Sequence, residues 1–175
     1  MINRHSLRKL AIGAACFAMI ATAGVIGEPR GAHAATASSD VQITATASQK
    51  ADKLIAFAKS MQGKVRYKFG VNSPSTLTFD CSSWTKYVFG KQGVSLKWGT
   101  KSQSKQGSYV AKSNLRKGDL IFFSVSKPGQ INHVGIYIGN GQFIHNTTGS
   151  KSGVVISNLN SGNYPKRYIT ARRVL

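Results

Sequence analysis

The chain has 175 residues, 24 Lys and Arg against 5 Asp and Glu, a formal net charge of +19 and two cysteines. That length holds one domain with short appendages, and 41% hydrophobic residues suffice for a core, which excludes full disorder. Two cysteines exclude a disulfide scaffold, and five acids argue against a carboxylate metal site or a carboxylate acid/base pair. The excess of positive charge asks for an anionic partner: nucleic acid, an acidic membrane or an extracellular polymer.

Residues 1–34 have the three parts of a secretory leader. Arg4, Arg8 and Lys9 form a basic start, 10–26 is apolar, and a polar run ends in Ala32-His33-Ala34, which places cleavage after Ala34. The alternatives are a membrane anchor, since the apolar stretch approaches spanning length, and lipidation at Cys16. The second is weakened by Gly13-Ala14-Ala15, which lacks the large aliphatic residue expected before a lipidated cysteine. Removal of the leader leaves 20 bases and 4 acids, net +16, and one thiol, Cys81, so no internal disulfide can form. The expected location is secreted, extracellular or wall-associated, with no membrane attachment after cleavage and no nucleic-acid partner.

Residues 35–50 are Ala, Thr and Ser-rich and read as a flexible linker. No repeat follows, so 51–175 is one domain. Leu54, Ile55, Ala58 and Met61 mark one face of a short helix with Asp52 near its start. Residues 65–70 read as extended and 71–78 as a turn-rich loop. Asp80 opens a helix that ends by Gly90 or Gly93, with Cys81, Trp84 and Val88 on one face, and 97–107 is polar with room for a short helix. From Asp119 the period changes to two, giving strands at 120–123, 134–138, 143–147, 154–157 and 168–174. Helices followed by strands predict an α+β domain, an antiparallel sheet with helices packed on one side.

A lone thiol in an exported protein invites a catalytic reading. Cys81 at a helix start meets unpaired N–H groups and the positive end of the dipole, which favour thiolate; the alternative is a small buried residue packing helix on sheet. The only histidines beyond the leader, His133 and His145, fall in one hairpin. A two-residue turn at Asn140-Gly141 would set Ile136 opposite His145 and put the imidazoles on opposite faces. A three-residue loop, Gly139-Asn140-Gly141 with Gly141 left-handed, sets Gly135 opposite His145. His133 is then diagonal to His145 on the same face, and the smallest residue leaves room for a ring. One imidazole can then take the thiol proton while the other orients it. Catalytic zinc is the competing use of three such side chains, but the spacing does not match common ligand patterns, and no metal or cofactor is expected.

The segments Tyr67-Lys68-Phe69-Gly70, Phe79-Asp80-Cys81-Ser82, Lys117-Gly118-Asp119-Leu120-Ile121-Phe122-Phe123, His133-Val134-Gly135-Ile136-Tyr137-Ile138-Gly139 and Phe143-Ile144-His145 resemble, in order and rough spacing, the NlpC-type family of bacterial cell-wall cysteine peptidases. The resemblance covers most of 51–175. It implies a papain-like fold, with N-terminal helices on a five- to six-stranded antiparallel sheet. It also implies hydrolysis of peptidoglycan stem peptides, most often between γ-D-glutamate and a diamino acid such as meso-diaminopimelate. It gives Cys81 the role of nucleophile, His133 that of base and His145 that of the orienting residue. Tyr67, Asp80 and Ser82 match positions that bind a free L-alanine amine in some members, and the Cys81 backbone N–H matches an oxyanion donor. Three departures stand out: Ser83 where the family usually has Gly, Phe69 where a Trp is common, and Trp98-Gly99-Thr100 where Arg-Thr or Arg-Ser is frequent.

The charge, densest at Lys59, Lys64, Arg66 and Lys68 and at Arg172 and Arg173, suits anionic wall polymers. A monomeric thiol endopeptidase of stem peptides is the leading expectation. The alternatives are an N-acetylmuramoyl-L-alanine amidase or acyltransferase on the same scaffold, or a cationic wall-binding protein without catalysis.

Overall fold

The computed structural model describes the backbone of residues 34–149 and 152–175, with side chains from residue 46 onward. The leader expected at 1–34 lies outside the described residues, apart from Ala34. Helix α1 (Ala34–Ser60) begins there and runs through the stretch read as a linker. No Gly or Pro interrupts 34–60, so a helix stabilised by packing at its C-terminal half meets no stop signal. That half buries Ala51, Leu54, Ile55, Ala58 and Met61.

Three two-residue strands follow: β1 (Arg66–Tyr67), β2 (Asn72–Ser73) and β3 (Thr78–Phe79). They form a small sheet in the order β1-β3-β2, ordering a segment that composition alone marks as a loop. Helix α2 (Cys81–Gly90) starts as expected, with Asp80 as N-cap. Short α3 (Thr100–Gln103) sits in the polar segment. The main sheet contains β4 (Ser108–Val110), β5 (Leu120–Phe123), β6 (His133–Gly139), β7 (Gln142–Thr147), β8 (Gly153–Asn158) and β9 (Tyr168–Arg173). One-turn α4 (Tyr164–Arg167) precedes β9. The order is β4-β9-β5-β6-β7-β8, with every neighbouring pair antiparallel. The five strands expected from alternation are present, and β4 is a sixth.

Both faces of the sheet are covered. Leu120, Phe122, Val134, Ile136, Ile138, Ile144 and Val154 pack with the apolar faces of α1 and α2. The alternate residues Ile121, Phe123 and Phe143 form a second cluster with Val110, Leu159 and Ala171. Arg173 ties β9 to the start of β5, its Nε and Nη2 each 2.8 Å from the Asp119 carboxylate. Among the described residues no helix is long and apolar enough to cross a membrane.

Candidate active site

The turn into α2 is held by a reciprocal cap. Ser83 N–H donates to Asp80 Oδ1 at 2.7 Å, and Asp80 N–H donates to Ser83 Oγ at 2.9 Å. The Ser83 hydroxyl also donates to the Val71 carbonyl at 2.7 Å. Ser83 thus fastens the helix start to the small sheet. Cys81 is the first residue of the helix.

The hairpin β6–β7 decides where the histidines go. Asn140 and Gly141, with φ of 52° and 68°, make a two-residue turn between Gly139 and Gln142, of the kind that matches strand twist. By itself that turn would separate the imidazoles. An irregularity between Tyr137 and Gly139, with Gly139 at φ 99°, absorbs one residue, and the register becomes Ile136↔Ile144. Gly135 therefore faces His145, as the three-residue loop predicted, but a bulge plus a tighter turn achieves it. His133 Nε2 lies 2.7 Å from His145 Nδ1. His145 Nε2 is in turn 3.0 Å from Ser157 Oγ on β8.

The β6–β7 ladder stops at Ile136↔Ile144, whereas β7 stays paired with β8 as far as Thr147↔Gly153. The start of α2 meets the two strands beyond that point. Asn146 Nδ2 donates to the Phe79 carbonyl at 2.9 Å, and the Val134 backbone is near enough to Cys81 to favour its charged form. The start of α2, with Cys81, is thus set against the start of β6, with His133, although the two residues are 52 positions apart in the chain.

Electrostatics depart from the expectation of a lowered thiol pKa. Burial, with the neighbouring Asp80 charge adding to it, pushes the Cys81 thiol up to about 12. Backbone hydrogen bonds from Val134, Ser82 and Cys81 itself pull the other way and are outweighed. Burial lowers His133 to about 4, and burial together with His133 holds His145 well below the ordinary range. Both shifts favour the neutral forms near neutral pH, a protonated thiol at Cys81 and an uncharged imidazole at His133.

Cys81 opens onto a cleft of about 420 Å³, which Phe69, Asp80, Ser82, Trp98, Lys101 and Asn132 help to line. Phe69 is 85% exposed on its rim. Asp80 and Ser82 both reach the cleft, but the Asp80 carboxylate is already engaged. Oδ1 accepts from Ser82 Oγ at 2.8 Å as well as from Ser83 N–H, and Oδ2 accepts the Trp98 indole N–H at 2.9 Å. Burial, with Cys81 and Asp80 nearby adding to it, raises the Tyr67 phenol to about 12, so it stays a neutral hydroxyl. Trp98 was visible in sequence only as a departure from the family pattern. Nothing local signalled its bond to a residue 18 positions away. Asn146 and Ser157 were likewise not singled out, because each contacts the site from a neighbouring element. Among the described residues no group of three or more His, Cys, Asp or Glu side chains is placed to hold a metal ion.

Residues 63–173 match the NlpC/P60 family. The Escherichia coli K12 protein named murein DD-endopeptidase MepS/murein LD-carboxypeptidase is 45% identical over 112 residues, which is 63% of this chain and 56% of that protein. A Bacillus cereus γ-D-glutamyl-L-lysine dipeptidyl-peptidase is 40% identical over 98 residues, 55% of this chain and 29% of that protein. This chain thus spans about half the length of the first relative and less than a third of the second. The structure of the peptidoglycan hydrolase RipB from Mycobacterium tuberculosis superimposes with a TM-score of 0.62 at 30% identity, covering 75% of this chain and 67% of that one. On these matches, and on the α+β architecture they share, the chain belongs to the NlpC/P60 family.

Proposed function

We propose that this protein is a secreted, monomeric peptidoglycan endopeptidase that cleaves stem peptides with Cys81 as nucleophile, His133 as base and His145 as the residue that orients it. The observation that carries the reading is the 2.7 Å contact between His133 Nε2 and His145 Nδ1, together with a buried thiol that lines an open cleft. With Nε2 so engaged, Nδ1 is the nitrogen of His133 left for the thiol proton. Proton transfer to Nδ1 accompanies attack of the sulfur on the stem carbonyl. First-turn N–H groups of α2, that of Cys81 among them, receive the oxyanion. The imidazolium then protonates the leaving amine, and water hydrolyses the thioester.

The bond preferred in this reading joins γ-D-glutamate to a diamino acid such as meso-diaminopimelate, in keeping with the γ-D-glutamyl specificity in the name of the Bacillus relative. The DD-endopeptidase named in Escherichia coli, at 45% identity, favours a D,D bond as the second reading. Because Trp98 donates to Asp80 Oδ2, an amine on the acyl side of a stem would compete with the indole N–H for that carboxylate. Lys101 on the cleft wall suits the stem carboxylates, and the overall charge suits anionic wall polymers as a salt-sensitive aid to association.

The test is digestion of purified wall and defined muropeptides, with products weighed. Cys81→Ala is expected to abolish release of peptide fragments, iodoacetamide to inhibit and EDTA to have no effect. Muramic acid stripped of all peptide would instead identify the amidase alternative, joined products an acyltransferase. Lysis indifferent to thiol alkylation would identify a non-catalytic cationic wall binder.

A further inference from the structure

His145 carries a requirement that the Cys81–His133–His145 set does not meet by itself. It is fully buried, ringed by Phe143 at 4.7 Å and Tyr164 at 5.9 Å between centroids, and its Nδ1 is committed to His133. Its second nitrogen, Nε2, has one polar partner, the Ser157 hydroxyl at 3.0 Å. The β7–β8 register explains the contact: Phe143 pairs with Ser157 and His145 with Val155, so Ser157 is the diagonal neighbour of His145 on the same face.

A neutral imidazole carries one N–H, so the position of that proton sets the direction of the whole chain. If His145 holds it on Nδ1, it donates to His133 Nε2. The His133 proton then sits on Nδ1, where it cannot accept from the thiol. If His145 holds it on Nε2, Nδ1 accepts from His133 Nε2–H and His133 Nδ1 is a free base. Once His133 has taken the thiol proton it carries protons on both nitrogens, and only the second arrangement is possible. The His145 Nε2–H then needs an acceptor in an aromatic pocket.

We propose that Ser157 is a positioning residue of this site: its hydroxyl accepts the Nε2–H of His145 and thereby holds His145 in the tautomer that lets His133 act as base. This rests on the thiol-peptidase reading above. The hydroxyl matters most after proton transfer, so its loss falls on kcat and leaves KM unchanged. The titratable groups facing His145 are His133 and Tyr164.

Thr and Val at 157 provide the cleanest comparison. Both are β-branched and suit a strand, and they differ by the hydroxyl alone. With the full chain acting on a defined muropeptide, Ser157→Val is expected to lower kcat about ten-fold with KM unchanged, the cost of an unpaired buried donor. Alkylation of Cys81 by iodoacetamide at pH 7 should slow in parallel, and Ser157→Thr should restore both. Wild-type kcat in Ser157→Val, or equal losses in Thr and Val, would overturn the role of Ser157 while leaving the thiol mechanism standing. Hydrolysis that survives Cys81→Ala would instead remove the mechanism itself, and the role of Ser157 with it.

Discussion

Gly135 is the position at which a single methyl group should disconnect the two histidines. A Cβ built there would lie 2.8 Å from Phe143 Cδ2 and 3.2 Å from both His145 Cβ and the Ile144 carbonyl oxygen. Ordinary contact begins near 3.4 Å, so β7 or its side chains must retreat by a few tenths of an ångström. The 2.7 Å contact from His133 to His145 has about that much slack before it ceases to be a strong hydrogen bond. Overpacking of this kind costs about 1–3 kcal/mol of stability. Misplacement of a catalytic group on the ångström scale costs up to about 100-fold in rate. Gly135→Ala is therefore expected to fold with a lowered thermal midpoint and to hydrolyse a muropeptide about 10- to 100-fold more slowly, chiefly in kcat. Because φ of Gly135 is not in the left-handed region, backbone strain cannot account for the loss. Wild-type kcat in a folded Gly135→Ala protein would refute the argument that close approach at Gly135 sets the geometry of the pair.

Two further expectations concern acid and specificity. His133 is held near 4 and His145 well below its ordinary value, so the unfolded chain binds more protons than the folded one as pH falls from about 6.5 towards 4. The stability these groups contribute is complete above about pH 6.5 and is lost as acid protonates the unfolded histidines. For His133 alone the loss between pH 7 and pH 5 is about 2 kcal/mol; equal urea midpoints at the two pH values would refute it. Trp98→Phe removes the indole N–H from Asp80 Oδ2 while keeping an aromatic ring on the cleft wall. It should raise kcat/KM several-fold for a stem peptide with a free amine on the acyl side relative to its N-acetylated form. An unchanged ratio would show that Trp98 does not control access to Asp80.

The order of elements was legible from local signals. Asp80 before an apolar helical face marked the start of α2, alternation after Asp119 marked five strands, and the glycine-rich segment at 139–141 marked the hairpin. These follow from nearest-neighbour stereochemistry and hydrophobic period, which a chain carries in its own order of residues. The candidate chemical groups, Cys81, His133 and His145, were legible too, and the fold brings the two imidazoles into contact.

Contacts between elements were settled only by the folded chain. Ser108–Val110 is too short and too exposed to announce itself, and becomes β4 because β9 offers an open edge. The two-residue turn at Asn140-Gly141 would have parted the histidines without the bulge at Gly139, whose presence depends on how β6 and β7 pack. The helix start invited a thiolate at Cys81, yet burial outweighs the backbone N–H groups there and keeps the sulfur protonated. The Asp80 carboxylate lines the cleft and also holds Ser82, Ser83 and Trp98, contacts that no local signal announced. The composition, the periods and the candidate chemical groups were thus set by the linear sequence. Protonation and the hydrogen-bond partners of the buried side chains were set by burial and by neighbours distant in the chain, which exist only once the sheet and helices have packed.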